Sequence, residues 1–205
     1  MVVVYGASGH GKVVCDVLLA AGVTVDGFVD DEPSRAGTRV LGLPVLGGGD
    51  FLGTPAGKGA RVALGIGVNG ARAKVAEKCL AFGASLVTCV HPRAVVASSA
   101  TLGEGTIVMA LAAVNPDAKI GRGVIVNTGA VVEHDDVVGD FAHVSPRSVM
   151  GGNCELGALA QLGIGGTMLP GTKVGEGTIV GAGGVVVRDI PAKTIVMGVP
   201  ARPRR

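Results

Sequence analysis

The sequence predicts a small Rossmann-like α/β domain followed by a parallel β-helix. One observation is a strand, a glycine-rich turn and a helix at the amino terminus. The other is an aliphatic residue at every sixth position from Val96 to Val186. A period of six fits neither an α-helix nor an alternating strand. It is typical of a β-helix, in which short strands and turns wrap a prism.

The sixfold pattern also predicts the size of the column. The 90 residues from Val96 to Val186 contain 15 intervals of six, hence 16 positions, and all are Val, Leu, Ile or Met. We expect these side chains to point inward, in a little over five coils if each coil has three faces. Glycine follows eight of them, and we expect it at corners where the backbone turns tightly. The register does not break, so we expect no long loop.

Three domains follow from these patterns: a nucleotide-binding domain at 1–91, the β-helix at 92–190, and a tail at 191–205 that leaves the column after Pro191. In a Rossmann-like unit, ligands bind at the carboxyl ends of the strands. Apolar runs and periodicity predict strands at 2–5, 24–29, 62–66 and 85–90, helices from the glycine-rich turn to about Ala21 and over 70–82, and a variable segment at 32–60.

Composition excludes several classes of protein. A net charge of +2 argues against a nucleic-acid-binding surface. No apolar run reaches the length of a membrane span, and the amino terminus lacks the pattern of a signal peptide, so we expect a cytoplasmic protein that does not insert in membranes. The four cysteines have no metal-binding spacing, which favours reduced thiols and no metal.

The glycine-rich turn GASGHGK leaves several interpretations open. It fits the spacing of a P-loop, but Val13 stands where the Ser or Thr that holds Mg²⁺ is needed. It lacks the G-x-G-x-x-G pattern of a dinucleotide site, although Asp30 lies about 20 residues on. A turn at a helix N-terminus can also cradle a phosphate, or have no ligand at all. His10 and Lys12 favour an anionic ligand.

The β-helix carries one cluster of ionisable residues, Glu133-His134-Asp135-Asp136. Asp136 occupies a position that is small and uncharged in nearly every other repeat. A histidine beside a carboxylate is the arrangement of a general base, since the acid orients the ring and stabilises its protonated form. His143 is a second imidazole nine residues on. Either histidine could instead belong to a solvated corner without a role.

The whole chain resembles the left-handed β-helix acyltransferases that modify bacterial nucleotide-linked amino sugars, together with the related sialic-acid O-acetyltransferases. The matching motifs are YGASGHGK, DD at 30–31, GVN at 67–69, HP at 91–92, NTGAVVEHD at 127–135, HVSP at 143–146 and GVPAR at 198–202. The resemblance implies a homotrimer in which acetyl-CoA, the co-substrate, lies between neighbouring subunits. It also implies that the first domain binds the nucleotide sugar through Ser8, Gly9, His10, Asp30, Asp31 and Gly67.

The same resemblance assigns roles within the β-helix. His134 matches the general base, and Asp135 matches the acid beside it, which is Glu in some relatives. Gly152 matches the amide that faces the oxyanion, and Asn127 a sugar contact. The other matches to acetyl-CoA contacts are His143, Ile164 and Ala182, and the tail is expected to contribute to that site.

The predicted activity is acetyl-CoA-dependent N-acetylation of a nucleotide-linked amino sugar, in glycan biosynthesis. The resemblance favours a 4-amino-4,6-dideoxy sugar. The sequence does not distinguish UDP from GDP as the nucleotide that carries it. The alternatives are O-acetylation of the sialic-acid type, a non-catalytic nucleotide-binding or scaffolding protein, and an NAD-dependent enzyme.

Overall fold

The computed structural model describes residues 1–204. The chain divides into two compact units, one from Met1 to His91 and one that begins at Pro92. The first is an α/β unit and the second a left-handed parallel β-helix of about six turns, so the fold class predicted from the sequence is confirmed. Within the described residues, every helix is too short or too polar to cross a membrane.

The first unit is built on a parallel four-stranded sheet with the strand order β2-β1-β5-β6. Its strands are β1 (Val2–Tyr5), β2 (Gly27–Val29), β3 (Arg39–Val40), β4 (Leu43–Pro44), β5 (Arg61–Leu64), β6 (Ser85–Leu86) and β7 (Cys89–Val90). Its helices are α1 (Gly9–Ala20) and α2 (Asn69–Ala81), with short 3₁₀ helices at Pro33–Arg35 and Gly49–Gly53. The variable segment therefore contains the β3–β4 hairpin, and the strand predicted at 85–90 is two shorter strands.

Three glycines bring the ends of β1 and β5 close to the start of α1. A Cβ on Gly11 would collide with the carbonyl oxygen of Gly6, and one on Gly65 would lie 2.8 Å from the Cα of Gly11. Gly6 also has a φ of +106°, which disfavours other residues. Two glycines of the GASGHGK turn are therefore required by packing alone. Gly9 is different, since a Cβ there would meet nothing within 4 Å.

The β-helix consists of short parallel strands on three faces. The first sheet contains β8 (Val95–Val96), β11 (Ala113–Val114), β14 (Val131–Val132), β17 (Val149–Met150), β20 (Thr167–Met168) and β23 (Val185–Val186). The second sheet contains β9 (Thr101–Leu102), β12 (Lys119–Ile120), β15 (Val137–Val138), β18 (Glu155–Leu156) and β21 (Lys173–Val174). The third sheet contains β10 (Ile107–Val108), β13 (Ile125–Val126), β16 (His143–Val144), β19 (Gln161–Leu162), β22 (Ile179–Val180), β24 (Ile195–Met197) and β25 (Arg202–Pro203).

The sixfold aliphatic residues form the core of the column, as predicted. Val96 and Leu102, in the first coil, are half-buried, and the other 14 of the 16 are buried. Equivalent residues stack at a separation of 18, as Val114 on Val132 and Val132 on Met150. Every strand of this stretch has two residues and no long loop interrupts it.

The glycines that follow the aliphatic residues lie at the corners, where a larger residue would clash, but they do not adopt the left-handed conformation that makes the tight turn. The left-handed residue of each turn comes two positions later, and it is often not glycine: Leu111 has a φ of +62° and Asp135 of +61°. The glycines are needed because neighbouring coils approach closely. A Cβ on Gly163, for example, would collide with the Val180 carbonyl oxygen.

The sequence predicts that the carboxyl-terminal segment leaves the column after Pro191. The structure shows instead that it continues the column. Ile190 pairs with Val174, and β24 adds a further strand beside β22. The separation of Val174 from Ile190 is 16 residues rather than 18, so the last coil is two residues shorter. β25 then reverses direction and pairs antiparallel with β24.

Candidate active site

His134 and Asp135 lie in the turn that joins the first sheet to the second, between β14 and β15. His134 Nδ1 is 2.8 Å from Asp135 Oδ2, and both side chains are more than half exposed. The left-handed φ of Asp135 makes the turn, and its N–H donates to the carbonyl of Pro116 on the preceding coil at 3.1 Å. The local fold therefore places an imidazole and its carboxylate partner at the surface.

The hydrogen bond with Asp135 sets the protonation of the ring. Because an ionised carboxylate can only accept, Nδ1 carries the hydrogen and Nε2 of the neutral ring is left with a lone pair. The same bond, assisted by the charges of Asp135, Glu133 and Asp136, raises the pKa of His134 above its usual value. The ring is thus oriented and made more basic, as a general base requires.

Gly152 lies directly beside the imidazole. It occupies the same corner one coil later, and a Cβ on it would lie 2.5 Å from His134 Nε2 and 2.6 Å from Cε1. The neighbouring Asn153 N–H donates to the His134 carbonyl at 2.9 Å, which ties the two turns together. The absence of a side chain at Gly152 is what leaves room for the ring.

Asp136 is buried below this turn, although a carboxylate is costly to bury. Its Oδ2 accepts from the Glu133 N–H at 2.8 Å, and its Oδ1 from the Cys154 N–H at 2.7 Å. Burial nevertheless raises the pKa of Asp136 to about 7. The carboxyl group therefore belongs to the framework of the turn and does not face solvent.

Asn127 and His143 contact each other at a different corner. Asn127 Nδ2 lies 2.9 Å from His143 Nε2, and an amide nitrogen can only donate, so Nε2 of His143 is the acceptor. Asn127 Oδ1 accepts from the Thr128 N–H at 2.8 Å. His143 is buried and Asn127 half-buried. The sequence had assigned these two residues to different ligands, whereas the structure joins them in one pair.

Ile164 and Ala182 lie at the same corner as Asn127, between the third sheet and the first. They are 18 residues apart, exposed, and on consecutive coils. The His134 corner joins the first sheet to the second, on the opposite edge of the first sheet. One chain therefore brings His134, Asp135 and Gly152 together and holds the remaining predicted β-helix residues at another corner.

The first unit has a cavity of about 410 Å³ at the carboxyl ends of its parallel strands. Four predicted residues line it, namely Ser8, Asp30, Asp31 and Gly67. The other lining residues are Tyr5, Gly6, Glu32, Arg35, Gly65, Ile66, Val68, Ala71 and Val75. Its position agrees with the rule that α/β sheets bind ligands at this edge.

The two aspartates that line the cavity also hold its walls. Asp30 accepts from the N–H groups of Ala7 at 2.6 Å and Glu32 at 3.0 Å. Asp31 accepts from the Tyr5 hydroxyl and the Gly49 N–H, both at 2.7 Å, and from Lys78. Burial opposes its ionisation, but these hydrogen bonds prevail and lower the pKa of Asp31. Asp31 is therefore held in its ionised form, and hydrogen bonds fix both side chains in place.

Ser8, Gly9 and His10 open helix α1. Ser8 is exposed at the N-cap, and its side chain makes no capping hydrogen bond. His10 is half-buried next to Gly67, and Gly9 and His10 do not line the cavity. Burial, and to a lesser degree the charge of Arg72, lower the pKa of His10 to about 4. The His10 ring is therefore neutral near pH 7 and offers no positive charge to an anion.

Sequence reasoning missed two arginines of this region. Arg35 lines the cavity and donates to the Ala7 carbonyl at 2.7 Å. Arg72 is buried and donates to the carbonyls of Ile66 and Gly67, which fixes the turn before α2. Arg35 lies in the variable segment, where no periodicity exists. Arg72 lies in a helix, where arginine is ordinary on an exposed face.

The chemistry available at the His134 corner is proton transfer. The four cysteines are buried, and burial raises the pKa of the Cys154 thiol. Within residues 1–204, no group of three or more His, Cys, Asp or Glu side chains is arranged to bind a metal ion. A β-helix with an exposed, carboxylate-supported histidine at a corner is the arrangement predicted from the sequence for a hexapeptide-repeat acyltransferase.

Comparison with solved structures specifies this class further. A perosamine N-acetyltransferase variant from Caulobacter crescentus, in complex with CoA and GDP-perosamine, is 45% identical over 100% of this chain and 96% of its own, with a TM-score of 0.95. The acetyltransferase domain of PglB from Neisseria gonorrhoeae, also solved with acetyl coenzyme A, is 37% identical over 99% of this chain and 98% of its own, with a TM-score of 0.92. WeeI from Acinetobacter baumannii is 28% identical over 100% of this chain and 99% of its own, with a TM-score of 0.91.

The chain belongs to the hexapeptide-repeat sugar acetyltransferase family, and it is an acyltransferase. Residues 1–79 match the PglD N-terminal domain. Curated relatives match over a shorter stretch: a 2,3,4,5-tetrahydropyridine-2,6-dicarboxylate N-acetyltransferase of Enterococcus faecalis is 51% identical over 41 residues, 20% of this chain and 18% of its own. The chain thus spans about a fifth of the length of the curated relatives that it matches.

Proposed function

We propose that the protein transfers the acetyl group of acetyl-CoA to the amino group of a nucleotide-linked amino sugar. The observation that carries the proposal is the exposed His134–Asp135 pair beside Gly152. The proposal is supported by the relative from Caulobacter crescentus, which binds CoA and GDP-perosamine and has been studied with one histidine replaced by Asn or Ala.

The proposed reaction is direct transfer. The sugar nitrogen attacks the thioester carbonyl as His134 Nε2 takes its proton, and a tetrahedral oxyanion forms. The Gly152 N–H faces this oxyanion and stabilises it. The oxyanion then collapses, the C–S bond breaks, and the proton on His134 passes to the thiolate. The products are an amide and CoA, and no covalent bond to the enzyme forms.

The nucleotide half of the acceptor is proposed to bind in the cavity of the first unit. Its carboxylates are fixed in place by hydrogen bonds, the Ser8 hydroxyl lies at its lining, and the N-terminus of α1 follows directly, where the helix dipole favours a phosphate. A GDP-linked 4-amino-4,6-dideoxy sugar is the first candidate, because the relative at 45% identity binds GDP-perosamine. UDP-linked amino sugars are the second candidate, to be tested beside the GDP-linked ones.

A homotrimer with acetyl-CoA between subunits is part of the proposal. The outward positions of the first sheet are mostly apolar: Val95, Ala113, Val131, Val149, Thr167 and Val185. Those of the second sheet include Lys119, Glu155 and Lys173. A neighbour packed on the first sheet could bring its own Ile164 corner towards His134, which one chain cannot do. This explains why the predicted cofactor residues lie apart from the base.

The pH dependence tests the role of Asp135. Because Asp135 raises the pKa of His134, the base is protonated, and inactive, up to a pH above the usual histidine value. We expect kcat/KM to rise with pH through this pKa. In Asp135→Asn the rising limb should move to lower pH and the plateau should fall. A limb that does not move in this variant would remove Asp135 from the proposal.

Filling the cavity tests the nucleotide site. Ala71 is exposed on α2 and lines the cavity, so Ala71→Phe should weaken binding of GDP- or UDP-linked amino sugars by at least about tenfold, through steric exclusion. Lys74→Phe is the control, since Lys74 is exposed on the same helix outside the cavity. Isothermal titration gives both affinities. Equal affinities in the two variants would place the nucleotide elsewhere.

The assay that tests the proposal as a whole is a binding screen of UDP- and GDP-linked amino sugars, followed by turnover with acetyl-CoA. Acetylation of an amine supports the proposal. Acetylation of a hydroxyl alone would instead indicate an O-acetyltransferase.

A further inference from the structure

Asp136 occupies a position that recurs in every repeat, two residues before the inward aliphatic residue. The equivalent residues of other coils are mostly Ala, Thr, Ser or Gly, and a buried carboxylate there needs a reason. Two other buried polar residues, Thr106 and Thr178, show what such a side chain can do. Each hydroxyl accepts the N–H of a residue on the next coil, Val124 at 3.1 Å and Thr194 at 3.2 Å.

The Cys154 N–H makes a different hydrogen bond from the equivalent N–H groups of other coils. The corresponding N–H groups of Ala130, Ala142 and Ser148 donate to the backbone carbonyl three residues earlier, which closes their turns. The Cys154 N–H donates instead to Asp136 Oδ1 on the preceding coil. The turn that contains Gly152 is therefore held by a side chain from the His134 turn.

Asp136 does what a threonine cannot do. Its second oxygen accepts from the Glu133 N–H, at the start of the turn that carries His134. One carboxylate thus holds both turns, the one with the imidazole and the one with Gly152. A hydroxyl could replace only the bond to Cys154, as Thr106 does for Val124.

We propose that Asp136 is a positioning residue that fixes the spacing between His134 Nε2 and the Gly152 backbone. The inference rests on the proposed function, because it assigns catalytic roles to those two groups. Asp136 is fully buried, so it acts through the two turns that it holds. The titratable groups that act on it are Glu133, His134 and the Cys154 thiol, and its own charge contributes to the raised pKa of His134.

Two substitutions separate positioning from folding. Asp136→Thr should keep the bond to Cys154 and lose both the Glu133 bond and the charge. Asp136→Asn keeps the shape and one acceptor oxygen, and loses the charge. We expect kcat to fall roughly 10- to 100-fold in each, since small displacements of a reacting group have effects of this size. The KM values should change little.

The control is Thr106→Ala, which removes a matched bridge between coils far from His134. Asp136 is charged above its pKa of about 7, and loss of that charge should lower the His134 pKa, so the upper part of the acid limb of kcat/KM moves to lower pH in both Asp136 variants and not in the control. A role in stability alone would lower Tm without moving the limb. Unchanged kcat and an unchanged limb in folded Asp136→Asn would overturn the inference.

The two proposals fail separately. NMR titration of the His134 ring in wild type and Asp136→Asn measures the pKa shift without turnover. A wild-type protein that acetylates no amino sugar would refute the proposed function, but the NMR comparison of the His134 pKa in the two proteins could still be made. An active wild type with the same His134 pKa and the same kcat as Asp136→Asn would refute only the role of Asp136.

Discussion

His134→Ala is expected to lower kcat by about 10²–10⁴-fold, the usual contribution of a general base. The variant removes the Nε2 lone pair that accepts the proton from the attacking nitrogen, while the Asp135 carboxylate that orients the ring stays in place. Binding of the nucleotide sugar should be little changed, because the cavity belongs to the first unit. Steady-state kinetics with acetyl-CoA and isothermal titration with the sugar nucleotide measure the two effects.

Val137→Ala is the control for this variant. Val137 is exposed on β15, the strand that follows the turn. The substitution shortens a side chain near the turn and leaves His134 and Asp135 unchanged. It should keep nearly the full rate. A rate close to wild type in His134→Ala would exclude His134 as the base.

Gly152→Ala is expected to lower kcat by about 10²-fold while the protein stays folded. The added methyl group would lie 2.5 Å from His134 Nε2, which is too close, so the ring must move. The three heavy atoms nearest to that methyl group belong to the ring, a side chain that can rotate away. Tm should therefore change little, as thermal unfolding would show.

A double variant shows whether Gly152→Ala acts through the imidazole. If it does, Gly152→Ala combined with His134→Ala should be no slower than His134→Ala alone, because the displaced group is already absent. Multiplied losses in the double variant would mean that the methyl group disturbs something else, such as the acyl group or the Gly152 N–H.

The β-helix could be predicted from the sequence because its core repeats at a fixed interval. The positions from Val96 to Val186 carry the signal without interruption. The last coil was missed because it is two residues shorter, so Ile190 falls out of register even though Val196 follows it at six. The need for glycine at the corners was predicted, but that the clash is with the neighbouring coil depends on three-dimensional stacking and was not.

The site could be predicted in part. His134 and Asp135 are adjacent in sequence, so their contact needed only a turn. The contact between Asn127 and His143, and the bond between Asp136 and Cys154, join neighbouring coils and depend on register. Arg35 could not be found, because the hairpin segment that carries it has no periodic pattern. The separation of the predicted residues over two corners became visible only with the three sheets.

The most direct test is turnover of a GDP- or UDP-linked amino sugar with acetyl-CoA by the wild-type protein, with the product analysed by mass spectrometry and NMR. The account predicts one acetyl group per sugar, attached through an amide to the ring amine, with one equivalent of free CoA. An ester on a sugar hydroxyl, or release of CoA without any acetylated sugar, would contradict it.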